Sequence, residues 1–363
     1  MEFVTYFMLA IAVVAVIDRI IGNKLGLGAE FENGIMMLGS LALSMGGMLI
    51  MAPLLAHLFG IISENVPLFF DFSIIPAAIL ANDMGAAHLA LELCDDPEFG
   101  LFNGLIVASM IGATISFTIP FSLQITAKEH HNDIILGILC GIVTMPVGCI
   151  VAGIMLKLNF LRMIINLIPL LLFAAIIAVG LLKFEALTIK AFMVLGFLVK
   201  MLVSVGLLLG VIEFLTGKAL LPYIDTLENA MSAVINIVCI MTGAFPLIYI
   251  LKKLFAKPLT KIGQKLGIND TSAFGFLASM GTSLTTFNMM KKMDRKGIIL
   301  NAAFSVSAAF VLVDHLAFTL SFNADYLFPM IVGKLLSGIT SVVLACFIYE
   351  RKKKTTVTPQ TQQ

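Results

Sequence analysis

ILANDMGAAHLALE, Ile79 to Glu92, is an apolar segment interrupted by an amide, a carboxylate and a glycine. FLASMGTSLTTFN, Phe276 to Asn288, repeats the pattern, and Met280-Gly281 answers Met84-Gly85 at an offset of 196 residues. Other landmarks keep nearly that spacing. Val16-Ile17-Asp18 and Gly22 match Val211-Ile212-Glu213 and Gly217 at 195, while Gly141-Ile142 and Cys149 match Gly338-Ile339 and Cys346 at 197. Duplicated halves, each with a Gly-interrupted hydrophobic segment in the same place, are the sequence pattern of a secondary transporter fold.

Composition agrees with a membrane location. The chain is 60% hydrophobic and 12% charged, with mean hydropathy +1.04. Soluble domains carry about 25% charged residues, so this chain could not cover a water-facing surface. Net charge is +1, which gives no nucleic-acid reading. The five cysteines are scattered without a CxxC pair, so no disulfide framework is implied. No signal-peptide pattern precedes the first apolar run, which is expected to stay as a membrane helix.

Eleven apolar segments follow one another, over residues 3–21, 35–60, 68–93, 100–125, 134–156, 161–182, 190–212, 228–251, 271–290, 297–321 and 327–348. The expected fold is all-α and polytopic. Its parts are a first repeat (1–157), a linking transmembrane helix (158–189), a second repeat (190–350) and a cytoplasmic tail (351–363). Lys252, Lys253, Lys257, Lys261 and Lys265 follow segment eight, and Lys291, Lys292, Arg295 and Lys296 follow segment nine. Basic residues mark cytoplasmic loops, so segment nine (271–290) enters and leaves one face. Segment three (68–93) lies between Glu64 and the acidic run Asp95, Asp96 and Glu98, and is read as its external counterpart. Nine crossings, inverted repeats, an external N-terminus and a cytoplasmic C-terminus result. If both segments simply span, there are eleven crossings and the repeats are parallel.

Long blocks carry a resemblance: NDMGAAHLALEL (82–93), GATISFTIP (112–120), GIVTMPVGCIVAG (141–153), MDRKGIILNAAFSVSAAFVLVDHLAFT (293–319) and FPMIVGKLLSG (328–338). In these the chain resembles the bacterial ethanolamine-utilisation permease family. The resemblance implies a multi-pass protein of the bacterial cell membrane that moves ethanolamine inward for catabolism.

Ethanolamine at neutral pH is an ammonium with a hydroxyl, so its site needs an anion or several oxygens, and a hydrogen-bond partner. Charged groups inside a bilayer are costly and mark function. Asp83 is therefore the expected anion and Asn82 the hydroxyl partner, with helix capping as the alternative role for either. Ser279 and Thr282 supply the second break. Thr114 and Ser116, with Thr118 and Pro120 behind them, are expected opposite the first break, unless they bond only to their own helix. Asn301 can reach the second break, and Asp314 is either a second anion or the partner of His315. Asp18, Glu213 and Asp71 are expected in interfacial regions.

Other classes lack their signatures. There is no GxxxxGK[ST] loop, HExxH or GxSxG in the sequence, and His88 with Glu92 makes at most half a metal site. No cofactor or metal is expected, and an enzyme is disfavoured. A cation-coupled symporter or a channel for another small polar solute is the alternative function. Membrane lipid is the surrounding partner, and the apolar linking helix offers a packing surface for a second copy.

Overall fold

A computed structural model describes residues 2–63 and 69–357, and every element among them is helical. Helix α1 (Glu2–Ile20) precedes α2 (Leu27–Leu41), which a π-helical turn at Ala42–Gly46 joins to α3 (Gly47–Ser63). The first broken segment is α4 (Ile74–Ile79), a 3-10 turn at Asn82–Met84 and α5 (Ala86–Leu93). Helix α6 (Pro97–Leu101) continues through π-helical stretches at Phe102–Gly112 and Thr114–Thr118 into α7 (Ile119–Ile125). Then come α8 (His131–Met155), α9 (Phe160–Lys183), α10 (Glu185–Thr216) and α11 (Leu227–Leu266). The second broken segment is α12 (Asp270–Gly281) with α13 (Ser283–Met289), followed by α14 (Arg295–Ala308), α15 (Asp314–Phe322) and α16 (Leu327–Val357).

Seven helical runs among the described residues are long and apolar enough to cross a membrane: 27–61, 97–125, 128–155, 160–183, 186–216, 227–251 and 324–351. Helices α9 and α10 turn Leu172, Ile176, Leu182, Leu187, Phe197 and Leu215 outward. An outer surface of that kind suits hydrocarbon, since soluble monomers rarely expose contiguous apolar patches above a few hundred Å². At the centre, α8 packs on α14 and α16. A Cβ added at Gly333 would lie 2.7 Å from the carbonyl oxygen of Gly148, so small residues let these two backbones touch.

Each broken segment folds back on itself. Asp71 Oδ2 accepts the backbone N–H groups of Asp95 at 3.1 Å and Asp96 at 3.3 Å, which brings the two ends of 71–95 together. Its other oxygen accepts from the backbone N–H of Ser73 at 3.0 Å and from the Ser73 hydroxyl. In the second half, Asp294 Oδ1 accepts from Asn269 N at 2.9 Å and from Ser272 Oγ at 2.7 Å, and Asn269 Nδ2 donates to Lys292 O at 3.0 Å. A polar chain anchors the first of these bases to α9. Asn166 on α9 accepts from Asp71 N at 3.2 Å and donates to Asn103 Oδ1 at 2.8 Å; Asn103 in turn donates to Ser73 Oγ at 2.8 Å.

Several expectations are corrected here. Segment ten, read as one helix over 297–321, is interrupted at residues 309–313 between α14 and α15. The cause is tertiary: Phe310 N donates to Ser279 O at 3.0 Å and Leu312 N to Met280 O at 2.9 Å, so this backbone pairs with the second break instead of with its own helix. The basic stretch 252–265, expected as a loop, continues α11 to Leu266. Lys and Arg have good helix propensity, and charge alone ends no helix. Asp18 and Asp71, expected at interfacial positions, are covered by protein and hold backbone N–H groups. Asp18 accepts from the backbone N–H groups of Leu25, Leu27 and Gly28 at 2.8, 2.9 and 3.1 Å, clamping the turn from α1 into α2. Glu64, used to flank segment three, lies outside the described residues.

Candidate binding site

The breaks and the α14–α15 interruption converge on a cavity of about 480 Å³, within the range typical of small-molecule sites. From the first break come Ala81, Asp83 and Met84; from the second, Ala278, Gly281 and Thr282; from the interruption, Phe310, Val313, Asp314 and His315. Glu30 of α2 adds a third carboxylate, and Phe117, Phe245 and Tyr249 add aromatic walls. Among the described residues no Lys or Arg lines it.

Local geometry explains why these side chains arrive here. Gly85 has φ +94°, a left-handed conformation that lets the chain turn from the 3-10 turn into α5. A side chain there would also collide with Met48 on α3. Asp83 therefore sits just ahead of a helix start, and Asp314 is the first residue of α15. A carboxylate near a helix N-terminus is favoured by the exposed N–H groups and the helix dipole. Thr282 is extended (φ −155°, ψ 131°), and its Oγ1 accepts from Leu284 N at 3.3 Å, capping α13. Phe310 takes φ +63°, uncommon for a bulky residue, and its backbone pairs with the second break.

Of the residues singled out in the sequence, Asp83, Thr282 and Asp314 line the cavity. Asn82 is fully buried, and among the described residues neither its Oδ1 nor its Nδ2 has a hydrogen-bond partner. Ser279 lies behind the second break, sharing hydrogen bonds with Thr286 Oγ1 and Ser305 Oγ, both at 2.8 Å. Asn301 Nδ2 donates to Ser272 O at 2.8 Å and Gly297 O at 2.9 Å, leaving Oδ1 unmatched. Thr114 Oγ1 contacts Met110 O at 2.8 Å and Val306 O at 2.9 Å, and Ser116 Oγ donates to Gly112 O at 2.7 Å. These last four hydroxyl and amide groups brace the walls. His88 packs edge-on against Phe322, 4.8 Å between ring centroids, and no group of three or more metal-ligating side chains occurs among the described residues.

Sequence reasoning passed over Glu30, the aromatic walls and one basic group nearby. Lys334 on α16 is 1% exposed, and its Nζ donates to the carbonyl oxygen of Ser109 in the π-helical stretch. A lysine in the middle of FPMIVGKLLSG was the available signal, since intramembrane cations are rare.

Seven apolar helical runs around a cavity lined by three carboxyl side chains and several aromatic faces make this a polytopic helical membrane protein. The family described as ethanolamine utilisation protein, EutH, matches residues 1–348, and the chain belongs to that family. A Listeria monocytogenes relative, named a probable ethanolamine permease EutH, is 43% identical over 357 residues, covering 97% of this chain and 95% of its own length. Relatives with the same name from Salmonella typhimurium and Escherichia coli are 35% and 34% identical, with 96% and 98% of this chain covered and 95% and 97% of theirs. Those names describe transporters and not enzymes. No solved structure matches the chain.

Proposed function

We propose that this protein carries ethanolamine, as its ammonium, across the bacterial cytoplasmic membrane to supply intracellular catabolism. One observation carries the reading: the central cavity is lined by Glu30, Asp83 and Asp314 with Phe117, Tyr249 and Phe310, and, among the described residues, by no Lys or Arg. Carboxylates attract the ammonium, aromatic faces accept it at the edges, and Thr282 or Asn82 is available for the hydroxyl. The relatives' names support the substrate.

The fold-back segments 68–93 and 271–290 are read as re-entrant hairpins of two inverted repeats, with the N-terminus outside and the C-terminus inside. The matched order of elements around each break supports this, as do the basic flanks of the second. Irregular backbone at membrane depth is tolerated where it lines a cavity. The outward apolar face of α9 is the surface for a second copy.

Counterflow of labelled ethanolamine in liposomes containing only this protein tests the transport reading. Unlabelled ethanolamine should accelerate label entry, and ethylene glycol, its neutral analogue, should not. Equal effects of the two, or no counterflow, would overturn it.

A further inference from the structure

His88 has no part in the reading so far. It lines a second cavity, of about 240 Å³, with Met45, Asn236, Phe318, Ser321 and Phe322. The imidazole meets the Phe322 ring edge-on at 4.8 Å between centroids, and Phe318 stacks on Phe322 at 5.4 Å. His88 Nδ1 is buried without a hydrogen-bond partner among the described residues. Asn236 is exposed, although it lies within the apolar run 227–251, about 14 Å of helix rise from the start of α11. An amide turned toward hydrocarbon is costly, so this wall calls for water or a polar solute.

The two cavities draw on the same elements. His88 follows Met84 on the first broken segment, Ile237 precedes Phe245 on α11, and Phe318 follows Asp314 on α15; the first of each pair lines the second cavity and the other the central one, with Phe318 again on the second. Ile237, Met241 and Phe245 are four apart and share one face of α11, so the cavities are spaced by about 12 Å along it. Met241 at the intervening turn is fully buried, as is Met45, whose π-helical turn packs on α11. Tyr249 of the central cavity lies a turn beyond Phe245, at the end away from the second cavity. On the topology proposed above, that second cavity is on the external side.

We propose that it is an antechamber for the transported solute: a second site, external to the central cavity, that holds a small amino alcohol before it passes the level of Met45 and Met241. The Phe318 and Phe322 rings offer π faces to the ammonium. His88, Asn236 and Ser321 offer hydrogen-bond partners to the ammonium and the hydroxyl. Among the described residues no Asp or Glu lines the antechamber, so it holds the cation more weakly than the central cavity and hands it inward. The proposal rests on the transport reading.

The test uses the full-length protein in intact cells, with Ser321→Cys at an exposed position in wild-type and Asp83→Asn backgrounds. Reaction with an impermeant thiol reagent is read over that of the parent chain. Ser321→Cys should react from outside, and saturating ethanolamine should slow the reaction threefold or more, with ethylene glycol much less effective. The half-protecting concentration should be the same in both backgrounds. No external reaction, no protection, or a half-protecting concentration that rises with the loss of central affinity would overturn the antechamber. In liposomes, Asn236→Leu should raise the half-saturating concentration for ethanolamine counterflow several-fold and leave the equilibrium affinity of the central cavity unchanged. Unchanged counterflow, or equal losses in both, would also overturn it. Should wild type show no counterflow, the transport reading falls, while Ser321→Cys protection still reads the outer cavity; counterflow without protection removes the antechamber alone.

Discussion

Asp71 accepts the backbone N–H of Asp95, 24 residues further along the chain, at 3.1 Å, so the first broken segment ends where it begins. Asp294 and Asn269 do the same for the second at 2.9 Å. A segment closed at its base can reach membrane depth only by entering and leaving on one side. Cysteines placed at Phe69 and Asp95 should therefore react with an impermeant reagent from the same side. Those at Asn269 and Lys292 should react from the opposite one. Phe69 and Asp95 labelling from different sides would refute the hairpin topology.

The Asp71 clasp should also matter for stability. It gathers four donors in a buried place, and a hydrogen bond to a charged group contributes about 1.5–3 kcal/mol. Asp71→Ala should lose at least about 3 kcal/mol, since more than one such bond goes. Asp95→Ala, at an exposed side chain, should stay within about 0.5 kcal/mol of wild type. Denaturant unfolding in detergent checks both.

Charge removal in the cavity should separate binding from folding. Asp83→Asn keeps the shape of the side chain and deletes its charge, so ethanolamine affinity should fall by roughly 10- to 150-fold, the equivalent of about 1.5–3 kcal/mol. Asp314→Asn should weaken binding less, because its carboxylate also serves the start of α15. Equilibrium binding on the purified variants measures the ratio; wild-type affinity in Asp83→Asn would remove that residue from the site.

Gly85→Ala should damage transport with little global loss. A Cβ there meets Met48 and must hold φ near +94°, at a cost of roughly 1–2 kcal/mol. The strain falls on the turn that aims Asp83. Counterflow should drop several-fold while the unfolding midpoint moves by a few degrees.

The helical class and both principal breaks were legible in the sequence, because sparse charge and the NDMG and SMGTS interruptions act locally. The third break was not. Ala309 to Val313 contain neither Gly nor Pro, and the helix opens only because Ser279 and Met280 offer their carbonyls from a distant segment. Charges were visible but their partners were not: nothing in the sequence shows which N–H groups Asp18 and Asp71 accept. Hydroxyls behaved likewise. Thr114 and Ser279 hold neighbouring elements together and Ser116 bonds back to its own helical run, whereas Glu30, outside both breaks, reaches the cavity because α2 runs beside it.

The pairing of Phe310 and Leu312 with Ser279 and Met280 also sets which part of the molecule can move cheaply. Swinging α12 and α13 away alone would leave two amides and two carbonyls in need of new partners, at about 1–3 kcal/mol for each group that stayed buried without one. These helices therefore travel with α14 and α15 as one body. The backbone hydrogen bonds of the first break, by contrast, stay within its own turn, from Met84 and Ala86 to Ala81. If the cavity is alternately opened to the two compartments, the first break is the hinged door and the second is the frame.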